Sequence, residues 1–196
     1  MAHPTRSTDA LSALEWAALA PDVPGELVDG RLEGEEMTDF VHDLVVAWIL
    51  ATVGPWVSGR DGVAAASDAR LGVAADRHRK PDASFYLPET PSPPGRGLVT
   101  TPPTIAVEVI SPTPRDARRH RVETLHDYAA FGVAWYWIVD PQLRTFEVLD
   151  LGTDGRYVHA LAASSGAVAI PGGPELRPDL DDLWRRVEAV EVTDLD

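Results

Sequence analysis

Cysteine and asparagine are absent from the 196 residues, and lysine occurs once, at Lys80. Without cysteine the chain has no disulfide, no thiolate metal site and no cysteine nucleophile. Without asparagine it has no acceptor for N-glycosylation, so nothing in the composition favours secretion. We therefore expect a cytoplasmic protein in which any chemistry that needs an ammonium group has a single candidate side chain.

Positive charge is also scarce, because 17 Lys and Arg residues face 31 Asp and Glu residues, for a net charge of −14. Such a balance disfavours general attraction to nucleic acid or to an anionic membrane, so any contact with nucleic acid must be local. The apolar run from Leu44 to Val57 contains Gly54 and Pro55 and falls short of the roughly 20 residues of a membrane helix. We expect no membrane association.

Several common site motifs are missing as well. The sequence has no Gly-rich phosphate loop, no H-E-x-x-H, no G-x-S-x-G and no G-x-G-x-x-G. Its histidines are scattered, and the spacing of His120 and His126 places them on different faces of a helix. These absences argue against a histidine-based zinc site.

The length and the 44% hydrophobic content favour one globular domain. We place it at residues 20–190, between an N-terminal segment (1–19) and an acidic tail (191–196). Hydrophobic periodicity predicts a mixed sheet with helices packed on it, an α/β (α+β) fold. The expected order is a hairpin at 26–33 around Asp29-Gly30, a helix at 39–53 capped by Thr38 and stopped by Gly54-Pro55, strands at 63–66, 70–73 and 83–87, a buried strand at 104–110, a helix at 117–131 ending at Gly132, strands at 135–139, 145–151 and 157–162, and a closing helix at 178–190.

Three carboxylates stand in unusual surroundings: Glu26 before the Asp-Gly turn, Asp82 in Lys80-Pro81-Asp82, and Glu108 inside the apolar strand. A buried charge without a partner is costly, so Glu108 implies a cation, a metal or a shifted pKa. Asp82 and Glu108 on neighbouring strands suit a hard divalent cation. An ion pair between Glu108 and an arginine inside the sheet explains the residue equally well.

The chain carries a set of segments in a characteristic order: Glu26-Leu27-Val28-Asp29-Gly30, His42, Pro81-Asp82, Val107-Glu108-Val109-Ile110-Ser111-Pro112, Tyr128, Gly132-Val133 and Tyr136-Trp137-Ile138-Val139-Asp140-Pro141. Together they resemble the Uma-type restriction endonucleases of bacteria, within the PD-(D/E)XK nuclease superfamily. The resemblance extends from about residue 20 to residue 185.

This resemblance implies a restriction-endonuclease-like mixed sheet flanked by helices, and a metal-dependent endonuclease that hydrolyses DNA phosphodiester bonds with Mg²⁺ or Mn²⁺. By this interpretation Asp82 and Glu108 bind the metal, Glu26 completes or supports the site, and His42 lines the cleft. A purely structural, half-buried His42 is the alternative. The metal lowers the pKa of bound water and neutralises charge on the phosphate.

The sequence departs from the family pattern at the lysine. The superfamily lysine would stand at Ile110, the Uma-type lysine at Thr124, and an acid that usually precedes the latter at His120. Lys80 lies two residues before Asp82 and shares its strand face, so it can supply the missing ammonium; a solvent-exposed lysine is the alternative. The second candidate function is therefore a catalytically impaired module that binds nucleic acid or a protein partner.

Four arginines around the start of the second helix are candidates for binding DNA phosphates, although a solvated helix face accounts for them too. They are Arg115, Arg118, Arg119 and Arg121. The resemblance also implies a homodimer, because nuclease folds of this size often act as dimers. A structural or regulatory protein, with Glu108 merely ion-paired, is the third class.

Overall fold

The computed structural model describes residues 11–18, 25–33, 39–66, 69–112 and 118–191. The predicted cap Thr38, Arg115 and residues 192–196 of the predicted tail lie outside these ranges, and the predicted domain boundaries stay predictions. The helices are α1 (Ala13–Ala17), α2 (Phe40–Ser58), a π-helix (Arg119–Thr124) that continues into α3 (Leu125–Phe131), and α4 (Leu180–Glu191). The strands are β1 (Glu26–Val28), β2 (Arg31–Glu33), β3 (Val63–Ala66), β4 (Leu71–Ala74), β5 (Arg77–Arg79), β6 (Ala83–Tyr86), β7 (Ile105–Val109), β8 (Trp135–Asp140), β9 (Thr145–Leu151) and β10 (Tyr157–Ala163).

The main sheet has six strands in the order β10-β9-β8-β7-β6-β3. Only β7 and β8 pair in parallel; the other neighbours are antiparallel. A parallel pair needs a long crossover connection, and here the π-helix and α3 lie between the two strands in sequence. The predicted α+β fold with a mixed sheet flanked by helices is confirmed.

Both faces of the sheet are covered. On one face Val107 and Trp137 pack with the buried side of α2 and with α4. On the other face Ala106 and Tyr136 pack with Tyr128 of α3. Strand β7 is buried on both faces, as its nearly continuous apolar sequence predicts. The alternation predicted for Trp135-Tyr136-Trp137 is also confirmed, because Tyr136 and Trp137 belong to opposite cores.

Helix α2 does not end where the sequence predicts. It continues through Gly54 and Pro55 to Ser58. The last turn is held by tertiary contacts, because Val57 is fully buried and the Trp56 indole donates to the Pro174 carbonyl at 2.8 Å. Packing therefore outweighs the local cost of the proline. The predicted N-cap, Thr38, is also wrong by one residue. Asp39 is the N-cap, and its side chain accepts a hydrogen bond from the backbone N–H of His42 at 2.8 Å.

By length and composition alone, α2 is the one helix in the described ranges that could cross a membrane. The sequence predicts a helix too short to cross a membrane, but α2 is continuous over 19 residues, close to the roughly 20 that a membrane helix needs. Its side chains His42, Val45, Ile49 and Val53 are nevertheless buried in the domain, and the core helix of a globular protein has the same composition.

Two small hairpins complete the fold: β1 with β2, and β4 with β5. The first turns at Asp29 and Gly30, both with positive φ, as the Asp-Gly pair predicts. Strand β5 was not predicted from the sequence. Its His78 is fully buried and stacks on Trp16 of α1 with ring centroids 4.3 Å apart, which fastens the first helix to the β4–β5 hairpin.

Candidate active site

Asp82, which immediately precedes β6, lies beside Glu108 of the neighbouring strand β7. Ala83 pairs with Val107, so Asp82 stands one step beyond the last pair of β6 and β7, next to Glu108. The Asp82 Oδ2 accepts a hydrogen bond from the backbone N–H of Val109 at 2.7 Å. This bond ties Asp82 to the end of β7, and the structure thus brings together the two carboxylates that the sequence singled out.

Glu108 is buried on the face of β7 that packs against α3. The phenol of Tyr128 donates to Glu108 Oε1 at 2.6 Å, and His120 Nδ1 lies 3.6 Å from Glu108 Oε2. Only 3% of Glu108 is exposed, which is exceptional for a carboxylate. Its two oxygens therefore face two different side chains of the crossover segment.

His42 joins the site from the first turn of α2. Its Nε2 lies 3.2 Å from Asp82 Oδ2, and its Nδ1 lies 3.5 Å from Asp43 Oδ1. Burial lowers the pKa of His42, but the hydrogen bond and charge of Asp82, with a smaller contribution from Asp43, raise it above its ordinary value. The Asp39 cap fixes the backbone of this turn and thereby the direction of the imidazole.

Glu26 is held by basic groups from two other elements. Its Oε2 accepts from Arg79 Nη1 at 2.8 Å and also pairs with Arg119, while its Oε1 accepts from the backbone N–H of Lys80 at 2.7 Å. These contacts connect β1 to the segment that leads into Asp82 and to the π-helix. They suit a supporting role; metal ligation by Glu26 stays a prediction.

Arg79 is the centre of a buried charge network that the sequence did not reveal. Its guanidinium is 1% exposed and bridges Glu26 to Asp127 of α3, with Arg79 Nε 2.8 Å and Nη2 2.6 Å from Asp127 Oδ2. Arg77 binds the other oxygen of Asp127 at 2.7 Å. The run Arg77-His78-Arg79-Lys80 before Pro81-Asp82 was the available signal, but its partners lie far away in the sequence.

The candidate phosphate-binding arginines lie in different surroundings. Arg118 is exposed, whereas Arg119 is largely buried against Glu26, and burial lowers its pKa. Arg121 Nη2 contacts Asp140 at 3.2 Å and Glu147 at 2.9 Å. Their role in binding nucleic acid stays a prediction, and Arg118 is the member of the described set that faces solvent.

The structure also locates the two positions at which the resemblance places a lysine. Ile110 is buried between the sheet and α3, on the same strand face as Glu108. Thr124 is 1% exposed at the end of the π-helix. The segment 117–131 is predicted as a regular helix. Its described part contains a wider π-helical turn at Arg119–Thr124, a feature common at functional sites. It carries His120 next to Glu108 and Arg119 next to Glu26. Lys80, half-buried before Asp82, stays a candidate for the missing ammonium group.

The carboxylates of Asp82 and Glu108 can be compared with the ligands that different metal ions require. No group of three or more metal-ligating side chains comes together in the described part of the chain. Two carboxylates, one on β7 and one just before β6, match the way proteins hold Mg²⁺, which draws its remaining ligands from water and substrate phosphate. Asp82 and Glu108 fit such an ion, whereas a closed structural zinc site would need four protein ligands.

Comparison with known proteins bears on this site. The model of the Uma2 family, described as "Putative restriction endonuclease", matches residues 10–180. A crystal structure of a protein from Anabaena variabilis, described as a putative nuclease belonging to DUF820, is similar to the chain with a TM-score of 0.68 and 18% identity, over 90% of this chain and 99% of that one. At this identity the likeness shows the fold. No curated protein matches the chain.

Proposed function

The chain belongs to the Uma2 family of restriction-endonuclease-like proteins, and on this premise we propose that it is a metal-dependent endonuclease that hydrolyses DNA phosphodiester bonds. The reaction takes place at Asp82 and Glu108. Enzymes of this kind generally use divalent metal ions, and we propose Mg²⁺ or Mn²⁺ here. We also propose that the protein acts in the cytoplasm and does not associate with a membrane.

The observation that carries the proposal is the hydrogen bond from Val109 to Asp82, because it holds one carboxylate beside a second, buried one. Burial of Glu108 against a phenol and an imidazole is hard to explain by stability alone, since a buried charge is costly. A function that requires a fixed, dry carboxylate explains it.

Each residue of the site then has a task. Asp82 and Glu108 would hold the cation, and the chemistry it would supply is a bound water of lowered pKa and neutralisation of charge on the phosphate. His42, on Asp82, orients the attacking water or the phosphate. Glu26 supports the site by holding Arg119 and the backbone of Lys80. The Lys80 ammonium, two residues before Asp82, is proposed to replace the missing family lysine in catalysis, and Arg118 is proposed to contact the DNA backbone.

A second candidate function is a catalytically impaired nuclease fold that binds nucleic acid or a protein partner. The specific observation in its favour is that Ile110 and Thr124 are both buried and neither can supply an ammonium group. Lysine helps to position the attacking water and to stabilise developing negative charge, so its loss at both positions lowers turnover. The proposed homodimer is compatible with either function.

Cleavage of supercoiled plasmid DNA separates the two functions. The wild type is incubated with Mg²⁺ or Mn²⁺ beside Asp82→Ala and the control Glu89→Ala, which changes an exposed loop carboxylate. Nicking by the wild type and by Glu89→Ala, lost in Asp82→Ala, supports the endonuclease. DNA binding without nicking under either metal supports the impaired module.

A further inference from the structure

We propose that Tyr128 is the positioning residue of the metal site: its phenol holds one oxygen of Glu108 and thereby fixes the orientation of this carboxylate toward the cation. The inference rests on the proposed function, because it concerns the same site. Its basis is the hydrogen bond from the Tyr128 hydroxyl to Glu108 Oε1, which is 2.6 Å long and joins two buried side chains between the sheet and α3.

The phenol is a dependable donor. The Tyr128 side chain is fully buried, and its hydroxyl oxygen lies 2.6 Å from Glu108 Oε1. A protonated phenol next to a carboxylate oxygen donates to it, and such bonds to a charged acceptor are short and strong. The contact thus fixes the side-chain torsion of Glu108.

The Tyr128 ring is itself held in place. It makes an edge-to-face contact with Tyr136, with ring centroids 5.1 Å apart, and the Tyr136 hydroxyl donates to the backbone carbonyl of His120 at 3.1 Å. Tyr136 therefore links Tyr128 to the π-helical turn that places His120 beside Glu108 Oε2. One aromatic pair fixes the surroundings of both Glu108 oxygens.

The arrangement separates the roles of the two oxygens. Oε1 is engaged by Tyr128, and Oε2 lies on the side of His120. Partners that orient a metal ligand typically contribute 10–100-fold to metal affinity, without contacting the metal. A role in stability alone would change the unfolding temperature and leave the affinity as it is.

The test is a calorimetric titration of Mn²⁺ into the wild type, Tyr128→Phe and Tyr157→Phe, with thermal unfolding measured on the same samples. Phenylalanine keeps the ring in the aromatic cluster, so the domain stays folded. Tyr157→Phe is the matched control, because the Tyr157 hydroxyl also makes a 2.6 Å hydrogen bond, but to the backbone carbonyl of Val133.

We expect Tyr128→Phe to weaken Mn²⁺ binding by about 10–100-fold. Tyr157→Phe leaves the affinity within about twofold, even where both variants lower the unfolding temperature by a similar amount. Wild-type affinity in Tyr128→Phe overturns the inference and leaves the proposed function intact. A wild type that binds no Mn²⁺ overturns both.

Discussion

The Asp82 carboxylate accepts a 2.7 Å hydrogen bond from the backbone N–H of Val109, the residue after Glu108. Asp82 is thereby fastened to the strand that carries the second carboxylate. The two acids keep their relative position even though 25 residues, including the loop after β6, lie between them in the chain. Asp82 lies just before β6, and its bond to β7 gives it the rigid support of a strand that a loop position would lack.

The buried charge network around Arg79 predicts a large loss of stability when it is broken. In Arg79→Met, Glu26 and Asp127 lose the guanidinium between them, and removal of one partner from a buried pair costs about 3–5 kcal/mol. Urea unfolding measures the change. Arg185→Met is the control, because it removes an exposed pair with Asp182, where about 0–1 kcal/mol is expected. Equal losses in both variants would contradict the network.

His78 predicts a dependence of stability on pH. Burial, and then the charge of Arg70, lower its pKa from 6.5 to about 4. The folded state then binds fewer protons than the unfolded state between these values, so stability is lost as the pH falls from about 6.5 to about 4. At about 1.4 kcal/mol for each pKa unit, the loss reaches about 3 kcal/mol.

Urea unfolding of the wild type and of His78→Phe across this pH range tests the effect. Phenylalanine keeps a ring against Trp16 and removes the titration, so the difference between the two proteins changes by about 3 kcal/mol across the range. A difference between wild type and His78→Phe that does not vary with pH would refute the assignment.

Arg118 predicts how DNA affinity responds to salt. Each phosphate contact that is lost reduces the slope of log affinity against log salt concentration by about one. Fluorescence anisotropy with labelled DNA is expected to show this reduction for Arg118→Ala. Arg121→Ala keeps the wild-type slope, because its guanidinium is paired with Asp140 and Glu147. A reduced slope for Arg121→Ala and a wild-type slope for Arg118→Ala would contradict this assignment and place the DNA on the other side of the π-helix.

The main elements of the fold follow from local patterns. The apolar strand around Glu108 and the Asp29-Gly30 hairpin are specified by neighbouring residues, and both agree with the structure. The end of α2 is different, because Val57 and Trp56 extend the helix past Pro55 through contacts with distant residues. Tertiary packing of this kind leaves no local signal at Gly54-Pro55.

The same distinction applies to the site. Asp82 and Glu108 are conspicuous because a carboxylate in or beside an apolar strand conflicts with its surroundings. Arg79 is not conspicuous, since its partners Glu26 and Asp127 are 53 and 48 residues away. The approach of His120 to Glu108 depends on the π-helical turn, and the helical spacing of residues 117–131 does not indicate a wider turn.

The central claim is that Asp82 and Glu108 form a divalent-metal site. The most direct test is a calorimetric titration of Mn²⁺ into the wild type and into the double variant Asp82→Ala/Glu108→Ala, both checked for folding by circular dichroism. We predict saturable binding to the wild type that is lost in the variant. The claim is contradicted if the wild type shows no binding, or if the double variant binds Mn²⁺ with unchanged affinity.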